Sequence, residues 1–225
     1  MSSDSNVAKA GLEGVVATQS AICEVNGIEG RLVYRGYDIH DLAENATFEE
    51  VAYLLLNGVL PNSSQLTKLK AELGAEFRLP REIIGLIESL PKDVSPMDML
   101  RTMISALALY DREAGDMSTD ANLRKAIRLI ARFPVVVTAF HRIRAGLLPV
   151  EPRPDLSIAG NFLYMLRGEL RDEVATRTID VAFILHADHE LNASTFAARV
   201  TAATLSDIYS AIVSAIGALK GPLHG

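Results

Sequence analysis

The sequence predicts an all-α fold, mainly helical, with a small N-terminal β hairpin. Three observations lead there. Among 225 residues there are seven Phe, six Tyr and no Trp, so the core must come from Leu, Ile, Val and Ala, which suits helices better than sheets. Only residues 18–34 read as extended. From Thr47 onward, caps, prolines and glycines punctuate the chain at helical intervals.

The extended runs are Ser20–Val25 and Gly30–Tyr34, with Asn26-Gly27 between them. Both turn residues tolerate positive φ, which makes this a hairpin signal. Two strands alone are marginal, so the ribbon is expected to lie on the helical body. Tyr34-Arg35-Gly36-Tyr37-Asp38-Ile39 reads as a turn followed by a cap, with Asp38 starting a short helical run to Ala43. Thr47 and Glu50 form a capping box, and Gly58 with Pro61 stops that helix. Leu66, Leu69, Leu73 and Phe77 recur as one apolar stripe. Pro80 opens a segment with Ile83, Ile84, Ile87 and Leu90 inward. Ser95 is expected to cap a helix with Pro96 at its first position, and Leu100, Ile104, Leu107 and Tyr110 should share its inner face. A helix over 120–145 should kink at Pro134 and end at Gly146. After the stiff Pro149–Pro154 connection, helices are expected at 157–167, 173–190 and 194–218.

Composition narrows the function. With 22 basic and 28 acidic residues and a net charge of −6, nucleic acid is not expected as a partner, although a local basic site for an anion is compatible. The single cysteine, Cys23, excludes a fold built on internal disulfides. Met1–Lys9 is polar, without an apolar signal core, and no apolar run reaches membrane-spanning length. A cytoplasmic protein with no membrane contact is expected. The organisation reads as an N-terminal arm with the hairpin, 1–45, and a helical domain, 46–225.

Two motifs could carry chemistry. His186-Ala187-Asp188-His189-Glu190 places two histidines beside acids at the end of a predicted helix. The spacing matches no zinc motif and no third ligand lies nearby, so no metal is expected. The plainer reading is one packed histidine and solvated acids. Lys220-Gly221-Pro222-Leu223-His224-Gly225 makes a tight loop after a helix and lacks the phosphate-loop pattern.

Together the motifs point one way. His189-Glu190-Leu191-Asn192-Ala193-Ser194-Thr195, followed by Gly217–Gly225, closely resembles the citrate synthase family, and Tyr34–Ile39 and Pro96-Met97-Asp98-Met99-Leu100-Arg101 match it in the same order. The resemblance runs from about Leu12 to Gly225. It implies a helical large domain and condensation of acetyl-CoA with oxaloacetate to give citrate and CoA, with no cofactor and no metal. It implies that His224 is catalytic, a neutral imidazole donating to the thioester carbonyl as the enol forms. It implies that His189 binds oxaloacetate and that Asn192 and Ser194 orient these groups; His186 is read as structural.

The departure is as informative. In the family an aspartate base, a second histidine, the substrate arginines and a small domain all follow the G-P-x-H-G loop. Here Gly225 is the last residue, and Arg35, Arg101 and Arg199 match none of those arginines. The chain is therefore expected to be the N-terminal part of such an enzyme, inactive alone. A large subunit completed by another chain, and a non-catalytic dicarboxylate-binding or scaffold protein, are the alternatives. Propionyl-CoA, giving 2-methylcitrate, remains open beside acetyl-CoA.

Two structural expectations follow. A homodimer should form with the 194–218 region, rich in small residues, at or beside the interface. An unbroken helix from 193 to 218 would span about 39 Å and hold His189 and His224 apart. A break is therefore expected at Thr204–Asp207, with Ser206 capping the second helix.

Overall fold

The computed structural model describes residues 19–224. The N-terminal sheet has three antiparallel strands in the order β1 (Cys23–Asn26), β2 (Arg31–Tyr34), β3 (Tyr37–Asp38). The register pairs Cys23 with Tyr34 and Asn26 with Arg31. The reversal therefore takes in the four residues 27–30, beginning with Gly27, rather than the Asn26-Gly27 pair alone. Asn26 ends β1 and its Oδ1 accepts the N–H groups of Ile28 and Glu29, while Gly30 takes the positive φ of +65°. The two-residue reversal falls instead on Arg35-Gly36, both at positive φ (49° and 90°), so Tyr34 pairs with Tyr37 and a third strand forms.

Ten α-helices follow among the described residues: α1 (Ile39–Asn45), α2 (Phe48–Asn57), α3 (Ser63–Glu76), α4 (Arg81–Ser89), α5 (Pro96–Leu107), α6 (Thr119–Arg144), α7 (Ile158–Arg167), α8 (Glu173–Leu185), α9 (Ala193–Ala203) and α10 (Ile208–Leu219). Asp38 caps α1 through the His40 N–H, and Thr47 with Glu50 closes the expected capping box on α2, which ends on left-handed Gly58. Four details differ from expectation. Ser95 precedes α5 but makes no side-chain cap bond; Pro96, whose φ is preset, starts the helix. The buried face of α5 is Met99, Met103, Ile104 and Leu107, while Tyr110 lies in a 3-10 turn and is exposed. α8 stops at Leu185 instead of 190, and Asp207, not Ser206, caps α10 by accepting the Ser210 N–H. α6 runs through Pro134, where the proline forfeits one hydrogen bond of the ladder.

The main core joins α3, α4, α5, α6, α7 and α10 through residues such as Leu73, Ile83, Met103, Val136, Met165 and Ile216. A smaller cluster packs Tyr34, Leu42, Val51 and Leu54 around Ile184 of α8. The sheet thereby lies on the helical body, and Tyr34, fully buried, is its anchor.

Candidate active site at the start of helix α9

The site is built from the loop between α8 and α9 and from the turn after α10. α8 ends in a tightened turn, the Ala187 N–H donating to the Ile184 carbonyl, and that carbonyl also meets a side chain from the sheet. The Tyr34 hydroxyl sits 3.1 Å from the Ile184 carbonyl and 3.0 Å from that of Asp188, and it accepts the Asp188 N–H at 3.2 Å. The loop then folds on itself, with the Glu190 N–H donating to Asp188 Oδ1 at 2.9 Å. Glu190 takes φ +57°, an unfavourable angle for a residue with a Cβ. Its carboxylate compensates by accepting the Val25 N–H of β1 at 2.7 Å. Burial and the neighbouring Asp188 carboxylate push the Cys23 thiol up to about 12, so it stays a neutral packing group.

Asn192 caps α9, its Oδ1 accepting from the Thr195 N–H at 2.9 Å and from the Ser194 hydroxyl at 2.8 Å. α9 and α10 have 11 and 12 residues and pack along each other. The pairs Thr201–Ser214, with hydroxyls 2.8 Å apart, and Ser194–His224 make them antiparallel. Near-equal lengths and a break at residues 204–207 return the chain to where α9 began. The turn after α10 is short: the Gly221 N–H donates to the Ala218 carbonyl and the His224 N–H to that of Gly221. A Cβ on Gly221 would lie 3.2 Å from the Ala218 oxygen, so the tight turn favours glycine.

His224 Nε2 lies 3.2 Å from the Ser194 backbone nitrogen and 2.6 Å from its hydroxyl oxygen. A backbone N–H cannot reverse its direction. The network therefore assigns the lone pair to Nε2, and the proton of the neutral ring to Nδ1. The Ser194 hydroxyl is free to turn its proton to Nε2 or to Asn192. Of the four residues singled out from sequence, the structure thus joins His224, Ser194 and Asn192 in one hydrogen-bonded chain. It does not join His189 to them. That side chain is exposed on the same loop and makes no hydrogen bond or ion pair among the described residues. His186, at the end of α8, sets Nδ1 2.7 Å from the Ala182 carbonyl and edges an open apolar groove of about 350 Å³ beside Phe48, Phe162 and Phe183. No group of three His, Cys, Asp or Glu among the described residues is placed to hold a metal ion.

Sequence reasoning missed the frame behind the site: Tyr34, Asp188 and Glu190. Tyr34 and Asp188 stand 154 positions apart, and Val25 and Glu190 stand 165 apart, so no local pattern announces either bond.

Comparison with known proteins gives this geometry its context. A family profile described as citrate synthase, C-terminal domain, matches residues 11–225. Citrate synthase 2 of Bacillus subtilis is 57% identical over 216 residues, covering 96% of this chain and 58% of its own length. The crystal structure of citrate synthase from Pyrobaculum aerophilum superposes with a TM-score of 0.90 at 41% identity, covering 96% of this chain and 56% of that one. A ternary complex of carboxymethyl coenzyme A and oxaloacetate with citrate synthase from Thermoplasma acidophilum also superposes at 0.90, with 32% identity over 95% of this chain and 56% of that one. This chain thus spans somewhat more than half the length of the proteins it matches, and it belongs to the citrate synthase family.

Proposed function

We propose that the chain supplies the large-domain half of a citrate synthase active site, for condensation of acetyl-CoA with oxaloacetate. The observation that carries this reading is the Ser194 N–H directed at His224 Nε2. It leaves Nδ1–H as the outward donor of a neutral imidazole. The methyl group beside a thioester is a very weak acid, and its removal becomes feasible only if the developing enolate oxygen meets a preorganised donor. His224 is that donor. His189, exposed and without an internal partner, is available to a carboxylate or carbonyl oxygen of oxaloacetate. Asn192 and Ser194 hold His224 in orientation.

In the reaction the methyl carbon loses a proton and bonds to the keto carbon of oxaloacetate, whose oxygen takes up a proton. Water then cleaves the thioester, releasing citrate and the CoA thiol. These are acid–base steps and need no cofactor or metal. The base for the methyl proton and the acid for the keto oxygen have no counterpart among the residues assembled here. We assign them to the share of the family's length that this chain does not cover.

The proposal extends to assembly. α9 buries none of its residues within the chain, and Phe196 and Val200 stand 38% and 52% exposed on it. A second copy packing against α9 and α10 would cover them, giving a homodimer. Both substrates are metabolites of the cell interior, which puts the reaction in the cytoplasm.

The test mixes the purified chain with oxaloacetate and acetyl-CoA and follows release of free CoA thiol. The chain alone should give almost no turnover, because each positioned acid or base contributes roughly 10² to 10⁴ in rate and such groups act together. Adding the C-terminal portion of a relative, fused or in trans, should restore citrate formation. His224→Ala should then abolish it, and running acetyl-CoA and propionyl-CoA side by side decides between citrate and 2-methylcitrate formation. Enzyme-like turnover by the 225-residue chain alone would show the catalytic groups to be elsewhere.

A further inference from the structure

The Pro96–Arg101 stretch takes no part in the hydrogen-bonded chain of His224, Ser194 and Asn192, yet its acidic member reaches the turn that carries His224. Asp98 lies in the first turn of α5. Both of its carboxylate oxygens accept from Lys220 Nζ, at 2.6 and 2.7 Å, and Oδ1 also accepts from Arg101 at 3.0 Å. The contact joins residues 122 positions apart. Lys220 is the C-cap of α10, and the bonded turn from Gly221 to His224 follows directly.

We propose that Asp98 is a positioning residue for His224. Through Lys220 it fixes the end of α10, so that the turn presents Nε2 to Ser194 and leaves Nδ1 facing outward. The functional meaning of this contact rests on the condensation proposed above; the contact itself does not. His224 is held from two sides, by the start of α9 through Ser194 and by the start of α5 through Lys220. The two anchors belong to helices far apart in sequence. Releasing Lys220 removes the side-chain anchor nearest the turn, leaving the turn to its backbone bonds, the packing of α10 and Ser194.

Global stability is not where this pair acts. Lys220 and Asp98 side chains are 41% and 30% exposed, and an ion pair so open to water contributes little to folding. Its effect is geometric. The Ser194–His224 bond is already 3.2 Å at the backbone nitrogen, and hydrogen bonds are lost by about 3.5 Å. A small drift of the turn is enough to weaken this backbone bond, which fixes the tautomer, while the 2.6 Å contact to the Ser194 hydroxyl, whose proton can turn either way, persists. Gly221, where a Cβ would press on the Ala218 oxygen, keeps the turn tight enough to transmit the position of Lys220.

A simpler role for Asp98 is to place negative charge at the start of α5. Variants separate the two. Lys220→Met cuts the pair and leaves Asp98 on α5; Lys220→Arg keeps a cationic donor; Asp98→Asn removes the charge. The readout is the ¹⁵N shift of each His224 ring nitrogen in the full chain, assigned with His224→Gln, at a pH of about 8.5, above the ordinary imidazole range. The unaltered chain should show a protonated Nδ1 and an acceptor Nε2. Lys220→Met and Asp98→Asn should move both nitrogens toward tautomer-averaged values, Lys220→Arg should not, and melting temperatures should stay within about 3 °C. Unchanged His224 shifts in folded Lys220→Met and Asp98→Asn would overturn the proposal, as would an averaged tautomer in the unaltered chain. The measurement needs no turnover, so failure of the condensation assay and failure of this contact are read separately.

Discussion

Helices α6 and α9 are held in place by opposite means. α6 is gripped from several sides by buried charge. Arg128 bonds Asp111 at 2.5 Å, Glu76 at 3.1 Å and Glu113 at 3.3 Å, while Arg132 shares Glu76 and the Tyr209 hydroxyl closes on Asp111. Lys125, fully buried, donates to the Ala114 and Asp116 carbonyls. α9 has no buried residue and rests on α10, its start fixed by Asn192, Ser194 and His224. α6 is thus locked by a dense polar network, and the site is carried on an open helix pair aimed by a few polar contacts. An arrangement of this kind lets the site region meet a further body of protein without disturbing the core.

The largest effect should come from the α6 side. Asp111 is only 3% exposed, and its substitution by Asn leaves Arg128 with Glu76 and Glu113 alone. Removing one partner of a buried pair is strongly destabilising, and with two acids remaining the cost should sit near the lower end, about 3 kcal/mol. Urea unfolding should show a lower midpoint at unchanged slope. The effect should also depend on pH. Burial alone would raise the Asp111 carboxyl, but the Tyr209 hydroxyl, the Glu113 N–H and the Arg128 guanidinium outweigh it and hold it below its ordinary value. A depressed carboxylate contributes stability above its unfolded pKa and loses it as pH falls through the folded one. The gap between Asp111→Asn and the unaltered chain should therefore close in acid. A gap that is constant with pH would mean that the buried charge is not what grips α6.

The frame of the site should respond less. Tyr34→Phe removes one hydroxyl and leaves the Ile184 and Asp188 carbonyls without it, at a cost of about 1–2 kcal/mol. Amide exchange should quicken across residues 187–190 while α6 stays protected. Equal loss of protection in both regions would dissolve the contrast between them. The same residue marks the limit of what the sequence makes legible. Thr47 with Glu50, Pro96, Gly58 and the break at residues 204–207 are local signals, and each appears where local chemistry puts it. His224, Ser194 and Asn192 were legible as words of a family, but their hydrogen-bonded order was not. The end of α8 is not legible in periodicity, which cannot see that the residues after Leu185 fold onto a tyrosine 150 residues upstream. β3 was missed because two residues of strand carry no pattern, although Arg35-Gly36 held the signal in its left-handed angles.

The smallest effect lies at the junction of α9 and α10, and its sign is informative. Leu205 follows the C-cap Thr204, takes φ +62° and donates its N–H to the Ala202 carbonyl at 2.9 Å. This is the position after a helix where glycine is favoured, because a Cβ is crowded in the left-handed region. The leucine side chain is 82% exposed, so little packing within the chain offsets that strain. Leu205→Gly should relieve it and lose part of the gain to the greater freedom of glycine in the unfolded chain. The net stabilisation should be about 0.5 kcal/mol, or roughly 1–2 °C in melting temperature. A loss of stability instead would mean that Leu205 is packed in solution against something outside the chain. Light scattering on both proteins would then decide whether that partner is a second copy. If the glycine variant shifts toward monomer as it loses stability, the junction is part of a contact between two copies; if association is the same in both, it is not.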